Sequence, residues 1–116
     1  MAVALFGCAK PPPLSQIDQT IFQRSCEFSA CHEGSGAQSG LNLQMMPYDQ
    51  LVNVKAFEAP TRIRVIPGDP DNSYLMEKLS SATPMIGSRM PPNSDPLPDD
   101  EITQIHDWIA GGAQNN

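Results

Sequence analysis

The apolar residues of this chain fall into short groups with helical spacing, and long stretches rich in proline and glycine separate them. Ile17, Ile21 and Phe22 share one face of a helical wheel, which predicts an amphipathic helix over residues 16–25. Ser15 stands immediately before this helix, where a side-chain oxygen commonly accepts a hydrogen bond from one of the first N–H groups. We therefore expect Ser15 to be the N-cap residue.

A second amphipathic helix is predicted near the C-terminal end. It begins near Asp99 with acidic residues in its first turn, which suits the helix dipole, and it ends at Gly111 and Gly112. Its apolar face consists of Ile102, Ile105, Trp108 and Ile109. We expect Trp108 to pack against Phe22 of the first helix.

Shorter elements are predicted between these two helices. Residues 48–54 have the spacing of a short helix, and the alternating residues within 59–67 indicate an extended segment. Asp69 can cap a further helix that has Pro70 in its first position, where the missing N–H costs nothing, and that runs to Leu79. Because the chain shows no repeat and no run of strands, we predict an all-α fold of about four short helices and long loops.

Composition narrows the class of protein. The chain has 116 residues, which is enough for one domain, but it has 12 prolines and only 6% aromatic residues. A bound apolar group would supply core that the side chains do not. The net charge is −6 without a cluster of basic residues, which argues against nucleic acid and favours protein partners with basic patches. No stretch approaches the ~18 apolar residues of a membrane span.

Part of the N-terminal sequence resembles the cleavage site of a bacterial lipoprotein, without the basic region and longer apolar run of a full signal peptide. The segment Leu5–Cys8 reads Leu-Phe-Gly-Cys, a lipobox-like sequence, and Pro11–Pro13 follows as an extended tether. We therefore divide the chain into a signal remnant and tether, residues 1–14, and a domain, residues 15–116. Lipidation of Cys8 would anchor the protein to a membrane; the alternative is a chance cysteine in a tail.

The segment with the most specific chemistry contains two cysteines and a histidine. Cys31 and His32 are adjacent, as covalent haem attachment requires: the thiol adds to a vinyl group and the neighbouring imidazole reaches the iron. Cys26 lies five residues before Cys31, two more than in the usual Cys-x-x-Cys-His arrangement. The extra residues can loop out at little entropic cost. Attachment through Cys31 alone, with Phe28 in place of the first cysteine, remains the alternative to two thioethers.

Five further motifs occur in a fixed order: Ile21–Phe22, Gly40–Leu43, Pro67–Leu75, Met90–Pro92 and Glu101–Ala113. With these motifs, residues 15–113 resemble the small class I cytochrome c domains of planctomycete and deltaproteobacterial type. The resemblance implies one covalently bound haem c and terminal helices packed across each other. It also implies that His32 is the proximal iron ligand and Met90 the distal one. The function implied is electron transfer in the periplasm or at the cell surface, without catalysis.

The residues themselves also favour Met90 as the distal ligand. A residue before proline is restricted to extended backbone, and the two prolines that follow Met90 stiffen its loop. Met85 is the nearest rival, and Met90 as a core-filling side chain is the alternative. His106 is expected at the solvent edge of the last helix, away from the iron.

Two other functions are compatible with parts of the sequence. The first is a binding module in which zinc is held by four residues, Cys26, Cys31, His32 and His106. In the same module, Cys26 and Cys31 could instead form a disulfide. The second alternative function is a haem sensor or peroxidase in which Met90 is displaced from the iron. The sequence contains no nucleophile–base pair, paired-carboxylate motif or phosphate loop that would support an enzymatic function.

Overall fold

A computed structural model describes residues 10–26, 41, 43, 47–56, 59–80, 89–90 and 97–116. More than half of these residues are helical, and they include no strand, so the described part of the chain is all-α. Helix α1 is continuous through Leu14–Ile17, Asp18–Phe22 and Gln23–Ser25. Helix α2 is Pro47–Leu51, a 3₁₀ turn follows at Pro70–Asn72, helix α3 is Tyr74–Ser80 and helix α4 is Asp99–Ala110.

The start of α1 differs from the prediction. The helix begins at Leu14, and the N-cap position belongs to Pro13, whose backbone is extended and which makes no side-chain cap bond. Ser15 is therefore not the N-cap residue. The N–H of Leu14 donates to Asn116 Oδ1 at 3.0 Å, and the N–H of Ser15 donates to the main-chain oxygen of Asn116 at 2.8 Å. The acceptors for the first turn thus come from the other end of the chain.

The middle of α1, Asp18–Phe22, is π-helical. This wider turn aligns residues five apart, and the Gln23 Nε2 group donates to Asp18 Oδ2 at 3.1 Å. The helix then returns to α-type bonding: the N–H of Cys26 donates to the Phe22 carbonyl at 2.8 Å. Residues on both sides of the π turn belong to one continuous helix that ends at Ser25, with Cys26 as its C-cap.

The C-terminal helix has the predicted bounds. Gly111 is its C-cap and Gly112 follows with φ of 110°, a conformation that favours glycine. Glycine at position 111 also permits the N-terminal segment to approach, since a Cβ there would lie 2.6 Å from Pro11 Cγ. Part of the predicted tether therefore contacts the body of the domain.

One main apolar core joins the two terminal helices. The first segment of α1 contacts α4, and Phe22 and Trp108 are both about 1% exposed members of this core. Hydrogen bonds reinforce the arrangement: Gln16 Nε2 donates to Gln104 Oε1 at 3.3 Å, and Trp108 Nε1 donates to the Gln114 carbonyl at 2.8 Å. The buried members of the core are Leu14, Ile17, Ile21, Phe22, Leu43, Leu51, Val52, Val65, Met76, Leu79, Leu97, Ile105, Trp108, Ile109 and Ala113.

The predicted extended segment connects α2 with α3. Val65 forms an isolated bridge with Val52, and Ile63 forms another with Lys55. On its other side the segment accepts hydrogen bonds from the start of α3, where the N–H of Tyr74 donates to the Ile63 carbonyl at 2.9 Å. The segment is thus paired on both sides without forming a sheet.

The helix predicted from Pro70 to Leu79 is interrupted at Ser73. Ser73 is extended and fully buried, its hydroxyl donates to the Asp69 carbonyl at 2.9 Å, and its oxygen accepts from the Ile66 N–H at 2.8 Å. Such local side-chain bonds compete with helical ones. Leu79 is buried as predicted.

The predicted loop at 34–40 lies outside the described residues, and so does most of the loop at 83–98. Among the described residues, no helix combines the length and apolar character needed to cross a bilayer.

The contact between the chain ends yields a stability prediction. Asn116→Ala removes the Oδ1 acceptor of the Leu14 N–H, so we expect the free energy of unfolding to fall by about 1 kcal/mol, as for loss of a helix cap. Urea denaturation would measure it. Asn115→Ala, at the exposed neighbouring position, is the matched control and should change stability by less than about 0.5 kcal/mol. Equal effects of the two variants would contradict the capping function of Asn116.

Candidate haem site

Two of the sequence-predicted haem ligands and attachment residues are described in the structure, Cys26 and Met90. Cys8, Cys31, His32 and Met85 lie outside the described residues.

Cys26 is positioned by α1. It is the C-cap residue of that helix, with φ of −122° and ψ of −27°, so the chain leaves helical geometry at the cysteine. The residue is half-buried and packs against the main core. Helix α1 thus brings the first predicted attachment thiol to the edge of the core, five residues before Cys31 in the sequence.

Met90 is positioned by α3. Its N–H donates to the Lys78 carbonyl at 2.7 Å, and the residue is half-buried against the same core that Cys26 contacts. Sequence reasoning attributed the position of Met90 to the prolines after it, and it missed Lys78. A backbone bond between residues 12 positions apart leaves no pattern in side-chain types that could have revealed it.

The core is bordered by half-buried apolar residues. They come from separate parts of the chain and all pack against the main core: Cys26, Leu41, Tyr48, Leu75, Met90 and Ile102. Such a border leaves apolar surface at the edge of a small core, which an apolar macrocycle can cover. The two sulfur-bearing residues of this border have the donor chemistry that haem attachment and iron ligation require. The chemistry of Cys26 and Met90 therefore fits a haem.

Two basic residues are buried as well. Arg64 is 8% exposed, and its Nη1 group donates to the Gln50 carbonyl at 2.7 Å. Burial lowers the pKa of Arg64, although a guanidinium keeps its charge at neutral pH. Lys78 is also 8% exposed. Sequence reasoning missed both, because arginine and lysine are rarely buried and hydropathy alone assigns them to the surface.

His106 lies on α4 as predicted, at its half-exposed flank. Its Nδ1 atom is 3.1 Å from Asp107 Oδ1, and both side chains are about half exposed. Of the four residues of the zinc hypothesis, only His106 and Cys26 are described. Within the described ranges, no three His, Cys, Asp or Glu residues gather closely enough to hold a metal ion.

Comparison with known proteins returned no match to a family model, to a curated protein or to a solved structure.

Proposed function

We propose that this protein is a monohaem c-type cytochrome that carries electrons. Cys31 and Cys26 would bind one haem c covalently, His32 would be the proximal iron ligand and Met90 the distal one. The observation that carries the proposal is the Cys31-His32 pair that follows a helix ending in a cysteine at the edge of the core. The border of half-buried apolar residues supports it.

The protein groups would set the conditions for one-electron transfer, which is the chemistry that haem supplies. The imidazole of His32 and the thioether of Met90 would both stay on the iron in its two oxidation states, so little structural change would accompany electron transfer. Thioether ligation raises the reduction potential, and an apolar core that excludes water favours the less charged ferrous state. Because His32 and Met90 would both bind the iron, substrate would have no access to the metal, which favours a carrier over an enzyme.

The buried cations would add to this environment. Arg64 and Lys78 are held in the part of the chain that also positions Met90, through the Leu75 N–H bond to the Arg64 carbonyl at 2.9 Å and the Met90 N–H bond to the Lys78 carbonyl. Buried positive charge stabilises nearby negative charge, and haem carries two propionates. Arg64 and Lys78 would offset part of that charge if the propionates lie on this side of the core.

The partners and location follow from charge and the N-terminal sequence. A net charge of −6 suits redox partners with basic docking patches. Lipidation of Cys8 would anchor the domain to a bacterial membrane, in the periplasm or at the cell surface. The electron donor and acceptor would then be proteins that reach the same membrane face.

Covalent attachment is tested by extraction and by cysteine variants. We expect haem to stay with the polypeptide in acid-acetone, and Cys31→Ala to abolish stable haem incorporation, because Cys31 is adjacent to the proximal ligand. Cys26→Ala should leave a pyridine haemochrome spectrum shifted to the single-thioether position. Cys8→Ala is the control and should retain full haem content. Haem that extracts freely, or a colourless protein that binds zinc, would contradict the proposal.

The distal ligand is tested by methionine variants. Met90→Ala should lose the ferric sulfur-to-iron charge-transfer band, gain carbon monoxide binding at neutral pH, and have a lower potential because the soft ligand is gone. Met85→Ala and His106→Ala should keep the band. If Met85→Ala loses it while Met90→Ala keeps it, Met85 is the ligand. Carbon monoxide binding by the unaltered protein would indicate a sensor or peroxidase instead.

Lipidation is tested by mass. Expressed behind a complete bacterial lipoprotein signal, the protein should be cleaved before Cys8 and carry acyl groups on that residue, because Leu5–Cys8 resembles a lipobox. Intact-mass measurement of the membrane fraction would detect them. Cys8→Ser should move the haem protein to the soluble fraction. An unmodified Cys8 in membrane-fraction protein would refute the anchor.

A further inference from the structure

We infer that the ion pair between Arg62 and Glu77 is a positioning device for the distal ligand, because it fixes helix α3, and α3 in turn holds the backbone of Met90. The inference rests on the proposed function, since it takes Met90 as the iron ligand. It assigns a function to two residues that the haem site itself does not include.

The backbone of Met90 is hydrogen-bonded to α3. The Met90 N–H donates to the Lys78 carbonyl at 2.7 Å, so a displacement of Lys78 displaces Met90. Lys78 lies in the last turn of α3 and is only 8% exposed, which leaves its position determined by the helix as a whole. The distal methionine therefore follows α3 as the helix moves.

Backbone hydrogen bonds hold the start of α3 in place. The helix has seven residues, too few to be stable without tertiary contacts. Its first two N–H groups, from Tyr74 and Leu75, donate to the carbonyls of Ile63 and Arg64, each at 2.9 Å. These bonds fix the start of α3 on the extended segment, but they do not by themselves fix the helix axis further along.

An ion pair between Arg62 and Glu77 contacts α3 further along the helix. Arg62 Nη1 lies 2.6 Å from Glu77 Oε1, and the two side chains are 22% and 25% exposed. Glu77 immediately precedes Lys78 in α3. The Arg62 guanidinium also lies over the Tyr74 ring, 5.2 Å from its centroid. Arg62 thus contacts α3 at two points, Tyr74 in its first turn and Glu77 one turn later. Together with the packing of Met76 and Leu79 in the main core, this second contact fixes the direction of the helix.

Removing one member of such a pair leaves the other charge largely desolvated, which is more disruptive than loss of an exposed pair. The expected response is a shift of Glu77 and its neighbour Lys78 toward solvent. Met90 would then be held less firmly against the iron. Stability and ligation should both decline, but ligation should decline more than the loss of stability explains.

The experiment compares variants of the full-length haem protein. Glu77→Gln keeps the shape of the side chain and removes its charge, and Arg62→Gln removes the other charge. Both should weaken the ferric charge-transfer band and increase carbon monoxide binding severalfold. Amide exchange at Met90 should accelerate about tenfold in both, because the bond to Lys78 opens more often. Arg62→Lys, which keeps the charge, should retain more of the band than Arg62→Gln.

Ile17→Val is the control for general destabilisation. Ile17 is fully buried in α1, and its truncation should lower the thermal midpoint without weakening the band. The double variant Arg62→Gln with Glu77→Gln should lose no more of the band than the stronger single variant, since both remove one interaction.

The outcomes separate the two proposals. An unaltered protein that shows the band, with pair variants that also keep it and keep slow exchange at Met90, would overturn the positioning function alone. An unaltered protein without covalent haem would overturn the proposed function, and the positioning function with it. Equal loss of the band in Ile17→Val would also overturn the positioning function, because general instability would then explain the effect.

Discussion

The fold depends on the packing of the first helix against the end of the last one. Leu14 is buried in this contact, and Asn116 supplies two acceptors to N–H groups that a helix start leaves unpaired. Pro11 approaches Gly111 where a side chain would collide with it. Because the two ends hold each other, α1 has a defined direction, and its other end brings Cys26 to the edge of the core.

The middle of the chain depends on the extended segment, residues 62–66. Its carbonyls accept hydrogen bonds from the start of α3, and its bridges to Val52 and Lys55 connect it with the residues that follow α2. Arg64 of this segment is buried, whereas exposed arginines predominate in proteins of this size. A chain with few aromatic residues thus orders its centre with backbone bonds and a buried cation in addition to apolar contacts.

The proposed haem site draws on both arrangements. Cys26 is presented by the terminal helices, and Met90 by α3 and the extended segment. The two residues come from distant parts of the chain but pack against one core. This arrangement is compatible with an apolar cofactor that completes the core. Covalent attachment at Cys26 and distal ligation by Met90 would then be supported by different elements of the fold.

Local sequence was sufficient for some of these features. The bounds of α4 follow from Asp99 and Gly111, and the proximity of a thiol and an imidazole follows from the adjacency of Cys31 and His32. The choice of Met90 as the proposed distal ligand came from the resemblance to cytochrome c domains and from the two prolines that follow it. The structure adds the backbone partner of Met90 but does not describe His32.

Other features were decided only by tertiary structure. Spacing predicted Ser15 as the cap of α1, but the acceptors come from Asn116 at the far end of the chain. The same reasoning continued a helix through Ser73, whose buried hydroxyl instead bonds to the backbone at Asp69 and Ile66. Residue spacing records which side chains share a face. It does not record which distant donor and acceptor groups meet, since their partners are fixed only when separate segments pack.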